Sequence, residues 1–447
     1  MFYRAREFFV RDQRNRQMTS PVITPAAMCP PALLRPASYA PDMRRRYFDS
    51  AVDSWVAMAD GMSTYWAGAI ARGATPYQVS RDMQRWWQLM TDRREPTWAS
   101  PHEIAWSTPL ARLRDFSAGA DDGVVPTLVL PPQAGHDSCI VDYSNDQSQV
   151  QVIKAAGLSR LYSLDWVGAT QETKDASITD YLELIERAID HIGGPVNLIG
   201  DCQGGWLATI YAALAPDQVN THTIAGAPID FHADNPLIGD WLEAIDSEGD
   251  MAFYEWAVAR GDGVLKGEFM LNGFVMIKPE QEVEKQMQLL SRLGDPQQVE
   301  RYRVFEDWFK HTQDIPGAFY LWIVRHLFRD NELVEGALTV GGEKVDLARI
   351  SCPLNLLAGR VDHITPPGQV FALADAASTP KRKVTRRTSS GGHLGLFMGR
   401  EALRQHWPPL MASVYEHSTP KASRARAEGR ARAKTPAKRS KPAIPAP

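Results

Sequence analysis

A mainly parallel β-sheet with helices on both faces and a helical insertion before its last strands is the α/β architecture this sequence predicts. Three observations predict it. From Pro126 onward, short apolar runs alternate with longer stretches of helical spacing. One apolar run, Val196–Ile199, leads directly into Gly200-Asp201-Cys202-Gln203-Gly204, and a helix-compatible stretch from Trp206 to Leu214 leads out of it. A stretch rich in aromatic side chains, residues 235–346, separates the early apolar runs from the last one.

The elements follow in chain order. Residues 1–40 are Pro-rich and weakly patterned, and are expected to be flexible. The first 18 of them are basic and carry Phe2, Phe8 and Phe9, which suits an amphipathic surface helix or a simple cap. They are too charged for a secretory signal. From Pro41 to about Arg94, Tyr47, Val52, Trp55, Met62, Tyr65, Trp66 and Ile70, then Met83, Trp86 and Met90, recur at spacings of three and four. Two or three amphipathic helices follow from that, within a helical N-terminal region assigned to 41–120. Their tryptophans are expected to pack on the main domain, because exposed aromatic patches are uncommon.

The catalytic domain is assigned to 121–418. Thr127–Leu130 and Ser159–Leu164 read as buried strands, Ile178–His191 as a helix, and Thr221–Ile224 as the strand after the Cys202 turn. The insertion 235–346, with Trp241, Phe253, Trp256, Phe305, Trp308, Phe319 and Trp322, reads as a lid. Leu354–Ala358 is a late strand.

Charge separates the tail from the body. Residues 419–447 carry nine Lys/Arg against one Glu, a net +8, which leaves −12 on the rest of a chain of net −4. With almost no large apolar residues this basic tail is expected to be disordered. It suits weak contact with nucleic acid or another anionic surface, or simple solubilisation. The four cysteines, Cys29, Cys139, Cys202 and Cys352, are widely scattered and show no metal-ligand spacing, so no metal is expected. Few cysteines and no apolar run of membrane-spanning length point to a cytoplasmic protein.

The chemistry centres on Cys202. Strand, Gly-flanked turn and helix form a nucleophile elbow, which holds one side chain above the sheet, as in the α/β-hydrolase fold. A serine is usual there. A cysteine forms a thioester, and acyl exchange between thioesters costs little free energy, so acyl transfer is favoured over simple ester hydrolysis. In this fold the acid and the base follow the nucleophile in the chain. Asp362 lies just beyond strand Leu354–Ala358, and His393 lies in the small-residue loop Ser389-Ser-Gly-Gly-His-Leu-Gly395. His393 is placed to take the thiol proton and Asp362 to orient the imidazole. The backbone N–H of Gln203 is one expected oxyanion donor, and the second is expected from the loop Pro131-Pro-Gln-Ala-Gly-His136, at Gln133 or Ala134. His136 either touches substrate or bonds within its loop. His363 is either a second acid/base group or structural.

Cys202, Gln203, Asp362, His363 and His393 lie within longer matching stretches: LYSLDW (161–166), NLIGDCQGGW (197–206), ALAPDQVNTHTIAGAPIDF (213–231), FEDWF (305–309), LTVGGEKVDLARISCPLNLLAG (338–359), DHITPP (362–367) and GGHLG (391–395). On them the chain, from about Pro126 to Trp407, resembles the polyhydroxyalkanoate synthases, particularly their shorter two-subunit class. The resemblance implies a Cys202, Asp362, His393 triad and polymerisation of 3-hydroxyacyl-CoA into storage polyester on granules. Acyl-CoA is then a substrate and no cofactor is expected. The resemblance leaves open a partner subunit or a homodimer. Gly135-His136 and Ala227-Pro-Ile-Asp230 are closer to the intracellular polyhydroxyalkanoate depolymerases, which use the same Cys triad to hydrolyse polyester. Trp206 stands where synthases carry a smaller residue, and is expected to narrow the acyl pocket.

Overall fold

The structure is a computed structural model that describes residues 41–120, 123–234, 236 and 250–419. The expected flexible segment 1–40, Trp241 of the insertion, and residues 420–447 of the basic tail lie outside the described residues.

Eight strands form one sheet: β1 (Glu103–Ser107), β2 (Ala111–Asp115), β3 (Thr127–Leu130), β4 (Leu161–Trp166), β5 (Val196–Asp201), β6 (Val219–Ala225), β7 (Leu354–Gly359) and β8 (Val384–Ser389). Their spatial order is β1-β2-β4-β3-β5-β6-β7-β8. The pairs β1/β2 and β2/β4 are antiparallel, and every later neighbouring pair is parallel. This is the α/β-hydrolase sheet. β3, β5 and β7 are buried at every residue, as parallel strands covered on both faces must be.

The longer helices around the sheet and the site are α1 (Pro41–Ala71), α2 (Pro76–Thr91), α3 (Gln149–Ala155), α4 (Ile178–Ile192), α5 (Gln203–Leu214), α6 (Ala252–Arg260), α7 (Gly267–Ile277), α8 (Pro279–Ser291), α9 (Pro296–Phe309) and α10 (Trp407–Ser418). Alternation along the strands divides the core in two. Leu128, Leu198, Ile224 and Leu356 face one way and pack with Tyr181 and Ile185 of α4 and Leu207 and Ile210 of α5. Val129, Ile199, Ala225 and Leu357 face the other way and pack with Val150 and Ile153 of α3 and Leu410 and Val414 of α10. Each such side chain contributes about 1.5–3 kcal/mol by leaving water. α4 starts where Asp180 accepts the backbone N–H of Ser177 at 2.7 Å, and it ends at Gly193 in the left-handed region (φ 90°).

Three expectations change. The region 41–120 is helical only to Thr91, and β1 and β2 then extend the main sheet. The strand expected at Ser159–Leu164 runs two residues later, Leu161–Trp166, where it pairs with β2 as well as β3. The strand β8 was not expected, because Val-Thr-Arg-Arg-Thr-Ser is a polar edge strand with no continuous apolar run.

The N-terminal helices pack by one face only. Tyr65, Ala69 and Leu89 join Met287 and Leu290 of α8 in a separate small core. Gly61 permits that approach, since a Cβ there would overlap Met287. Elsewhere on α1, Phe48, Trp55 and Ile70 stay exposed, at 69%, 70% and 77%, so packing accounts for only part of its aromatic content. The helices α6 to α9 lie between β6 and β7, where the lid was expected. Among the described residues no helix is long and apolar enough to cross a membrane.

Candidate active site

β5 ends at Asp201 and α5 begins at Gln203, so Cys202 alone makes the turn between them, with φ 49° and ψ −117°. A non-glycine residue is strained there and needs surroundings that hold it. The Cys202 N–H donates to the Ala225 carbonyl at 2.8 Å, and the Cys202 carbonyl accepts the Gly205 N–H at 2.9 Å. The flanking glycines allow strand, helix and loop to converge. A Cβ on Gly200 would sit 2.5 Å from the Gly204 carbonyl oxygen, and one on Gly204 would overlap the Leu130 carbonyl oxygen at the end of β3. Gly204→Ala should therefore cost ~3 kcal/mol or more, because backbone rather than a flexible side chain must move. Denaturant unfolding measures this, and a loss under ~1 kcal/mol would mean that the loop after β3 yields freely.

Asp362 follows β7, and His393 lies in the loop after β8. Asp362 Oδ1 accepts the N–H groups of Ile364 and Thr365 at 2.9 and 3.0 Å. Asp362 Oδ2 lies 2.8 Å from His393 Nδ1 and accepts the Thr365 hydroxyl at 2.9 Å. Burial raises the Asp362 carboxyl, but His393 and these donors outweigh it and hold it below its ordinary range. Burial likewise lowers the His393 imidazole, but Asp362 and then Cys202 hold it well above its ordinary value. Cys202 and His393 line the same cavity. A carboxylate and an imidazole are thus in contact beside the thiol, which places the imidazole to take up a proton there.

Two segments carry backbone donors toward the cavity that Cys202 lines. Gln203 is the first residue of α5, so its N–H has no carbonyl to meet inside the helix. In the loop after β3, Pro131 and Pro132 carry no N–H, so the first available donors belong to Gln133 and Ala134. Ala134 lines the cavity above Cys202. The Gln133 side chain turns away, and its Nε2 donates to the Tyr181 hydroxyl at 2.6 Å in the core.

That cavity has a volume of about 590 Å³. Cys202, His393, Ile364 and His363 line one side, and Phe274, Phe305, Trp308 and Phe309 of the insertion line the other. Lys278, Glu282 and Lys285 also border it. Burial raises the Glu282 carboxyl, but Lys285 and Lys310 outweigh it and hold it down at about 2. His136 lines the cavity with its ring stacked on Trp308 and Phe309, at centroid distances of 5.1 and 5.4 Å. Burial pushes it down to about 4 although the carbonyls of Ala134 and Phe309 favour its protonation, so it stands neutral.

The structure therefore brings Cys202, Asp362, His393, Gln203, Ala134, His136 and His363 to one place. It does not bring Trp206 there. The indole is buried in the core against Phe319 and Trp322 on the far side of α5, so the expected narrowing of the acyl pocket does not occur. Sequence reasoning missed Thr365. The spacing Asp362-x-x-Thr365, an Asp that caps backbone two and three residues on, was the available signal. It also missed Phe274 and Phe305 as cavity walls, for which spacing along a helix held no clue.

A family model described as "Protein of unknown function (DUF3141)" matches residues 109–414. The poly(3-hydroxyalkanoate) polymerase subunit PhaC of Allochromatium vinosum is 27% identical over 323 residues, 70% of this chain and 88% of that one. Its counterpart in Haloferax mediterranei is 24% identical over 394 residues, 86% of this chain and 73% of that one. Among solved structures, a hydrolase from Pseudomonas aeruginosa PA01 aligns over 71% of this chain and 98% of its own, at 18% identity and a TM-score of 0.44.

Proposed function

The chain belongs to the family described as "Protein of unknown function (DUF3141)", and we propose that within it this enzyme of the α/β-hydrolase fold is a polyhydroxyalkanoate synthase-like acyltransferase. It polymerises 3-hydroxyacyl groups taken from their coenzyme A thioesters. The carrying observation is a cysteine, not a serine, at a strained elbow, in one cavity with His393, which pairs with Asp362. The similarity to polymerase subunits supports the same reading.

In the first half-reaction the Cys202 thiolate attacks the thioester carbonyl. The N–H groups of Gln203 and Ala134 receive the developing oxyanion. The carbon–sulfur bond to coenzyme A breaks, and the departing thiolate takes its proton from His393. In the second half-reaction His393 removes the proton of a chain-end hydroxyl, which attacks the Cys202 thioester and regenerates the thiol. The aromatic wall of Phe274, Phe305, Trp308 and Phe309 receives the acyl chain. The product is an insoluble polyester, so the same reading places the enzyme on a storage-granule surface and carries a partner subunit or a homodimer.

The test is purified protein with 3-hydroxybutyryl-CoA, following coenzyme A release and polymer mass. The same protein is incubated with amorphous polyester granules. Coenzyme A release with polymer gain is the expected result. Soluble hydroxyacid from granules, without polymer gain, overturns synthesis in favour of a depolymerase.

A further inference from the structure

The residue before Cys202 is acidic, and the cycle above uses no group on it. Asp201 is the last residue of β5 and is fully buried. Strand alternation turns it, with Ile199, toward the sheet face covered by α3 and α10. There α3 presents Gln149, also fully buried. Gln149 Nε2 donates to Asp201 Oδ1 over a long 3.5 Å. The other oxygens, Asp201 Oδ2 and Gln149 Oε1, have no hydrogen-bond partner.

Both orphaned atoms are acceptors. With a charged carboxylate they stay orphaned, since neither oxygen carries a hydrogen to give the other. A proton on Asp201 Oδ2 supplies the missing donor, and a carboxylic acid with a primary amide closes a ring of two hydrogen bonds. Nothing nearby repays burial of a charge here. Leu130 of β3 and Ala225 of β6 flank the end of β5, and α3 contributes a neutral amide. The charged group that acts on Asp201 is His393, already engaged by Asp362. A buried acid in such a place keeps its proton.

We propose that Asp201 is a neutral carboxylic acid that donates its proton to Gln149 Oε1, a positioning residue that anchors the end of β5 under the elbow without a second negative charge beside the Cys202 thiolate. Burial pushes its carboxyl up to about 8, against the smaller opposing pulls of Gln149 and His393. Its effect on the thiolate rests on Cys202 being the nucleophile. Its protonation does not, and is measured without substrate.

The sign of the pH dependence follows. In the unfolded chain Asp201 ionises near pH ~4. In the folded chain it keeps its proton to about pH 8. Between the two the folded state holds the extra proton, so this residue lowers stability as pH rises. Asp201→Asn keeps both hydrogen bonds and removes the titration. The Tm of Asp201→Asn minus that of the wild type should be smallest near pH ~4, grow to about pH 8 and then level. A difference independent of pH overturns the proposal. An infrared measurement covers the case in which Asp201→Asn does not fold. The wild type should show a carboxylic-acid carbonyl band that moves to higher frequency in Gln149→Leu, and acid bands unchanged by that substitution also overturn it. Iodoacetamide labelling of Cys202 then reads the consequence. Above about pH 8 the wild type should label several-fold more slowly than Asp201→Asn, and equal profiles remove the proposed effect on the thiolate.

Discussion

Cys202→Ala should lower polymer formation by at least ~10⁴-fold, the scale on which an enzyme loses turnover when its covalent nucleophile is removed. Two covalent steps pass through this sulfur, and no neighbouring group can replace it. Gln203 offers a backbone N–H, and His393 is already committed to Asp362. The strained backbone at Cys202 (φ 49°) is imposed by Gly200, Gly204 and the Ala225 carbonyl, so an alanine keeps the turn and the loss is chemical. Cys202→Ser should retain weak activity, since a hydroxyl in the same place is much harder to deprotonate. Mass spectrometry of the protein after brief exposure to 3-hydroxybutyryl-CoA should find the acyl group on the peptide that contains residue 202, and on no peptide of Cys202→Ala. Burial raises the Cys139 and Cys352 thiols, the latter to about 11, so neither competes for the label near neutral pH. Near-normal rates in Cys202→Ala would remove the elbow from the mechanism altogether.

The second large effect is expected at the base and its carboxylate. His393→Gln should lower kcat by ~10²-fold or more, because proton transfer in both half-reactions passes through this ring. Asp362→Asn should cost up to ~10⁴-fold, since an amide can hold the ring in the wrong tautomer and does not stabilise the imidazolium. The geometry gives the reason for so large a dependence. Asp362 is fixed by two backbone N–H groups and the Thr365 hydroxyl, so its free direction is toward His393 Nδ1 at 2.8 Å. Asp362 is also the first favourable influence that raises His393 against burial. In Asp362→Asn the imidazole should fall from its raised position, because the largest influence opposing burial is gone. The pH–rate profile and the Cys202 alkylation profile should then both shift. An unchanged alkylation profile in both variants would mean that these groups do not activate the thiol.

Much of this was legible because it is local. The elbow needs only a strand, close-packed glycines and a helix in one run of sequence, and Val196 to Leu214 writes all three. Asp362 and His393 were legible through chain order and through their positions just past a strand or in a small-residue loop. β8 was not legible, because an edge strand needs only one partner and its Arg386 and Arg387 can remain in contact with water. β1 and β2 were read as part of a helical region for a similar reason, since short antiparallel strands at the sheet margin carry little continuous hydrophobic signal.

The sequence by itself determined the sheet class, the order of the three candidate catalytic residues and the identity of the turn that carries the thiol. Those follow from propensity, periodicity and glycine geometry, which act over a few neighbouring residues. Only the tertiary structure decided where side chains point. Trp206 and Gln133 turned into the core, because Phe319, Trp322 and Tyr181 approach from more than forty residues away in the chain. Phe274 and Phe305 became cavity walls, because the insertion folds back over the ends of the strands. Asp201 became a buried acid facing an amide, because α3 is packed on that face of the sheet. Burial and the partner across a contact are properties of the packed chain, and they set whether a polar side chain near the thiol is a wall, a donor or a buried acid.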